Sequence, residues 1–140
     1  DDYVDVLVRE SIPAVAAERL AVFCDVFMEP GVFTGAQARR VLEAGLEHGL
    51  IPKLHADELE NSGAAELGAA LGAASADHLG AISEAGIHAL AASGTVATLL
   101  PATLGLVLPH NVLSQRRRAK YLGQFSGATS VLADSGVYAP

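Results

Sequence analysis

The sequence has little of what marks a stapled scaffold or a polyanion-binding surface. One cysteine, Cys24, in 140 residues excludes a disulfide framework and suits a reducing compartment. There is no Trp and aromatics make up 5%, a scarcity that disfavours an all-β sandwich. Nine basic residues stand against sixteen acidic ones, for a net charge of −7. That balance excludes nucleic acid as the main partner, because binding phosphates takes concentrated positive charge. No apolar run reaches the ~18 residues of a membrane span, and no basic segment opens the chain. A soluble, cytoplasmic protein with no nucleic-acid or membrane partner is the expectation. Neither a G-x-x-x-x-G-K-[ST] run nor a G-x-S-x-G elbow occurs, so phosphate-loop and nucleophile-elbow chemistry have no support.

What the chain does have is apolar mass. It is 51% hydrophobic and only 18% charged, with 14 glycines, which fits close packing of helices on a sheet. Its length is a soft prior for one domain or part of a larger one. It opens at Asp1-Asp2-Tyr3 without Met and closes at Tyr138-Ala139-Pro140, so both ends read as cut. Charge is unevenly spread: residues 1–100 carry fifteen acidic and five basic side chains, residues 101–140 one and four. The change falls between Pro101 and Pro109.

Tyr3 to Arg19 reads as helix interrupted at Pro13, which could open a segment Pro13–Leu20. The apolar run 21–28, bounded by Pro30-Gly31, has strand length and composition, with Asp25 as its polar interior residue. Thr34 and Gln37 form a capping-box pair, followed by Ala38, Val41, Leu42, Gly45 and Leu46 at helical spacing and by His48-Gly49 as a stop. Strands are expected over Leu50–Asp57, Ala74–Leu79 and Thr95–Leu100. Ser62 is expected to cap a helix through Leu71 closed by Gly72, and Ser83 one closed by Gly94, with Ile87, Leu90 and Ala91 on one face. The order β-α-β-α-β-α-β predicts a parallel sheet covered by helices, and periodicity alone leaves it open or barrel-closed. Beyond Pro101, an apolar run at 104–108, a basic helical stretch at 115–122 and a small, polar loop at 123–136 are the expectations.

Functional side chains in such folds gather at the carboxyl ends of strands. The second strand ends in Lys53-Leu54-His55-Ala56-Asp57-Glu58, where alternation would put His55 and Asp57 on one face. The third ends in Ser75-Ala76-Asp77-His78-Leu79, placing a second His at the same level one strand over. Imidazole with nearby carboxylates can hold a divalent metal, and a further carboxylate can shuttle a proton. A lone strand-end His is commonly a hydrogen-bonded structural residue, and two in succession, each beside an Asp, raise the case for a site. Cys24 reads as a small core residue and Asp25, on the opposite sheet side, as structural. His48 and His88 read as capping or solvent-facing on helices. Arg116–Arg118 with Lys120 reads as a solvated basic face.

Five stretches together resemble imidazolonepropionase, of the metal-dependent amidohydrolase superfamily: Phe23-Cys-Asp-Val-Phe-Met-Glu-Pro-Gly-Val-Phe33, Lys53-Leu-His-Ala-Asp-Glu58, Ser62-Gly-Ala-Ala-Glu66, Ser75-Ala-Asp-His-Leu79 and Gly94-Thr-Val-Ala-Thr-Leu-Leu-Pro101. The similarity runs through residues 1–103 in unbroken order, with 104–140 left as an insertion or irregular segment. It implies an α/β fold, a partial (β/α)8 TIM barrel with about four parallel strands present. It also implies one divalent metal, zinc or iron, at the carboxyl-end mouth. By motif, His55 would be a metal ligand on the fifth strand. Glu58 would hydrogen-bond substrate or water and move a proton, and His78, on the sixth, would orient or polarise the substrate carbonyl. Asp57 belongs to the motif without an assigned role. The metal would bring the pKa of bound water toward ~7 and so supply hydroxide.

The implied reaction opens the imidazolone ring of 4-imidazolone-5-propanoate to N-formimidoyl-glutamate in histidine degradation. A homodimeric full-length enzyme is a further expectation. The family's His-x-His pair on the first strand and its Asp ligand on the eighth have no counterpart here, whereas Tyr138-Ala139-Pro140 is similar to a segment preceding that eighth strand. A central, inactive piece of the barrel is therefore expected. The alternatives are an aminohydrolase (deaminase) of the same superfamily and a non-catalytic α/β binding module.

Overall fold

Short apolar runs alternating with capped amphipathic segments dictate parallel strands joined by helices. The computed structural model, which describes residues 2–100, has that order. The chain runs α1 (Asp2–Val6), a π-helical turn (Leu7–Ser11), α2 (Ile12–Ala17), β1 (Phe23–Met28), α3 (Gly35–Glu47), β2 (Ile51–Ala56), α4 (Ala64–Ala70), β3 (Ser75–His78), α5 (Glu84–Ser93) and β4 (Val96–Leu99). All four strands are parallel, in the spatial order β1-β2-β3-β4. A doubly wound sheet reverses its strand order. Among the described residues this one does not, and an unreversed parallel run with covering helices fits part of the wall of an α/β barrel. The expectations for residues 104–140, Arg116–Arg118 and Lys120 included, lie outside the described residues.

Period-two alternation separates the faces of the sheet. Val26, Met28, Pro52, Leu54, Ala56 and Ala76 point toward the helices and are buried. The approach is close: a Cβ on Gly45 of α3 would stand 2.8 Å from Cys24 Cβ. The opposite face carries Asp25, Phe27, Lys53, His55 and Asp77, which are polar or partly exposed. Parallel register aligns Phe27, His55, Asp77 and Thr98 as one row across the four strands.

The capping box at Thr34 forms as expected: its side chain accepts from Gln37 N–H, and Gln37 Oε1 accepts from Thr34 N–H at 3.0 Å. Leu46, expected on the apolar face, is exposed. Every strand is shorter than its apolar run, because ladder pairing rather than hydrophobicity sets where a strand ends. The helix at Pro13 does not break. It widens into a π turn in which Ile12 N–H reaches Leu7 carbonyl, a local rewinding that absorbs a residue with no N–H to give.

Two expectations at the end of β2 are corrected. Asp57 does not share a face with His55, because its φ of 49° ends the strand and turns its carboxylate inward, where it is fully buried. Ser62 does not cap α4. Gly63 holds that position, left-handed at φ 78° and with no side chain to offer. Asp57 caps the helix from seven residues upstream, accepting from Ala64 N–H at 3.3 Å and Ala65 N–H at 3.2 Å. Ser62 is itself a donor to the same carboxylate, through N–H at 2.8 Å and hydroxyl at 3.0 Å.

Candidate functional site

The carboxyl ends of β2 and β3 bring both strand-end imidazoles together. His55 stands in the open-face row of β2, as alternation requires. His78 is aligned with Ala56, whose side chain faces the helices, so alternation alone would turn it away. Its φ of 79° reverses that direction, and Leu79 follows at φ 59°. The two rings then lie with centroids 5.2 Å apart. Two successive left-handed residues without a Gly are costly, of order 1–3 kcal/mol each, and such outliers cluster at functional sites. Leu79 is fixed there by burial and by its N–H donating to Ala56 carbonyl at 3.0 Å.

Each imidazole faces one carboxylate through Nδ1. Asp25 Oδ2 approaches His55 at 2.9 Å and Glu58 Oε1 approaches His78 at 3.3 Å. Neither contact is aligned as a hydrogen bond in this state. The pairs differ in exposure: His55 and Asp25 are 39% and 37% exposed in their side chains, His78 and Glu58 only 13% and 16%. Phe27 closes the near side of His55 edge-on, at 5.8 Å between centroids.

One level lower, Lys53 Nζ lies 3.2 Å from Asp77 Oδ2 and 5.8 Å from the Phe23 ring centroid. Burial opposes the charge on Asp77, but the polar side chains of Thr98 and Ser75 and the Lys53 ammonium around it outweigh that and hold the carboxyl below the usual range. Asp77 is thus an anion tied to Lys53. Cys24 is half-buried against Val41 carbonyl and Gly45, and burial pushes its thiol up, away from reactivity.

The backbone carrying Glu58 is held by two buried acids. Asp57 ties residues 62–65 from one side. Glu29, just past β1 and 3% exposed, accepts from Glu58 N–H at 3.3 Å and Glu60 N–H at 2.7 Å. Glu29, Asp25 and Lys53 were not candidates from sequence. Asp25 had a signal, as the one polar residue inside an apolar strand. Glu29 had none, because its partners lie 29 and 31 positions away. His48, the C-cap just past α3, and His88, on α5, are exposed. Among the described residues no three His, Cys, Asp or Glu side chains are grouped to hold a metal ion, and no helix is long and apolar enough to cross a membrane.

Known proteins match this stretch closely. The chain is 56% identical over 103 residues to an imidazolonepropionase of Brevibacillus brevis, covering 74% of this chain and 24% of that protein. It is 58% identical over 103 residues to one of Bacteroides fragilis, covering 74% and 25%, and 52% identical over 103 residues to one of Myxococcus xanthus, covering 74% and 24%. No family model matches the chain. The chain spans about a quarter of the length of the curated relatives it matches. The resemblance carried by the sequence motifs is thus a match to a segment of imidazolonepropionase.

Proposed function

We propose that this chain supplies part of the active-site rim of an imidazolonepropionase-type hydrolase, which opens the ring of 4-imidazolone-5-propanoate to N-formimidoyl-glutamate. The observation that carries the reading is the convergence of His55, Glu58 and His78 at adjoining strand ends, in a chain whose 103 matched residues are over half identical to proteins of that name. In the reaction, water adds across the ring amide: its hydroxyl bonds to the carbonyl carbon, the carbon–nitrogen bond breaks, and the nitrogen takes the proton.

Glu58 holds and moves that proton. It is mostly withdrawn from solvent, with Oε1 3.3 Å from His78 Nδ1. His78, with Nδ1 turned to Glu58, presents the other edge of its ring to orient the substrate carbonyl. A divalent ion, zinc or iron, supplies Lewis acidity toward water when bound. His55 suits such an ion: its Nδ1 faces the Asp25 carboxylate, the arrangement that orients ligating imidazoles and leaves Nε2 to coordinate. Among the described residues no group of three His, Cys, Asp or Glu completes such a site around it. The substrate is a small molecule, and a cytoplasmic, homodimeric enzyme belongs to the same reading.

The full-length gene product is expected to consume imidazolone propionate without releasing ammonia. Glu58→Gln and His78→Asn should each lower kcat by about 10²–10⁴. Ammonia release from a cyclic amidine substrate would favour a deaminase. A full-length product with neither metal nor turnover would favour a binding module.

A further inference from the structure

We infer that Glu29 is a positioning residue for Glu58, acting through the backbone of the loop after β2; this rests on the proton-moving role proposed for Glu58. A carboxylate 3% exposed is costly unless its oxygens are satisfied. Among the described residues no Lys, Arg or His is ion-paired with Glu29. Its oxygens instead take two peptide N–H groups of one loop, Glu58 on Oε2 and Glu60 on Oε1. Hydrogen bonds to an ionised acceptor are roughly twice as strong as neutral ones, so this clasp is the loop's firmest tie to β1.

The anchor is itself fixed. Val32 N–H donates to Glu29 carbonyl at 3.0 Å, and Met28 bridges to Phe33. Ser62 hydroxyl, whose proton Asp57 takes at 3.0 Å, also lies 3.2 Å from Met28 carbonyl, which sets the far end of the loop against the same strand end. Asp57 closes the other side. Between these ties the Glu58 backbone has one place to be, and from there its side chain meets His78 at 3.3 Å. A burial role alone would be filled by an apolar residue; two N–H groups two residues apart call for a carboxylate of this length.

The test is a double-mutant cycle in the full-length gene product. Glu29→Gln puts an amide NH2 against a peptide donor and should lower kcat by about 10- to 100-fold, as misplacement by an ångström does, with KM within about threefold. In a Glu58→Gln background the same change should cost under about twofold, because the group it positions is gone. Equal losses in both backgrounds would overturn the inference. Should Glu29→Gln fail to fold, Glu29→Asp keeps the charge, falls one methylene short, and should show the same non-additivity with a smaller loss.

A second readout needs no turnover: the ¹H–¹⁵N ring signals of His78 should move in Glu29→Gln toward their positions in Glu58→Gln. Unmoved signals in a folded variant would overturn the inference. His78 signals that couple in an enzyme opening no imidazolone ring would refute the reaction and uphold the positioning role. Turnover with additive losses would do the reverse.

Discussion

The two faces of the sheet are built from different materials. Toward the helices, Val26, Leu54, Ala56 and Ala76 are buried and small enough for α3 and α4 to lie close. Toward the open side, Lys53 pairs with Asp77 by charge and His55 faces Asp25, with Phe23 and Phe27 beside them. The covered face is specified by volume, where a methyl group too many or too few is felt at once. The open face is specified by partners, with the His55–Asp25 contact over a third exposed and the Lys53–Asp77 pair less so. Apolar packing is therefore concentrated on one side of the four described strands and facing polar side chains on the other.

That division can be broken most severely at its apolar centre. Leu54 is fully buried under α4, and Leu54→Ala should cost about 2–5 kcal/mol in denaturant unfolding. Asp57→Ala comes next. It strands the N–H groups of Ser62, Ala64 and Ala65 around a buried site, and a loss of about 3 kcal/mol is expected from thermal and urea unfolding. Gly45→Ala adds a methyl against Cys24 Cβ, which cannot swing aside, and should cost about 1–3 kcal/mol; a neutral result would show that α3 slides freely over β1.

On the open face the effects shrink. Lys53→Met should change stability at neutral pH by under about 1 kcal/mol. The sharper signature is in acid. The Asp77 carboxyl is depressed in the folded state, so its contribution is complete above the unfolded value near ~4 and is lost as pH falls through the folded one. Lys53→Met should flatten that acid limb, and an unchanged pH–stability curve would sink the pairing as a source of stability.

Local signals were legible where the partner lies close in sequence. The capping box at Thr34–Gln37, the Ser83 cap on Gly86 N–H, and the left-handed glycines Gly49, Gly72 and Gly94 all sit as their spacing predicts. The strand-end location of His55, Glu58 and His78 was legible for the same reason, since the strand-helix order puts carboxyl ends at one rim. Asp57 was misread because alternation holds only while the strand lasts, and one left-handed residue ended it. Asp25 went unrecognised because its partner His55 is reached through inter-strand register, which no local pattern encodes.

The amino-acid order alone determined four strands joined by three helices, most of their caps, and which ends would carry imidazole and acid, because each depends on contacts within a few residues. Only the folded chain decided that Asp57 caps a helix instead of joining the rim, that His78 turns back toward His55, and that Glu29 clasps the loop bearing Glu58. The first two turn on left-handed residues at strand ends, and the third on a buried carboxylate whose donors lie 29 and 31 positions away; each is set only once the strands have paired.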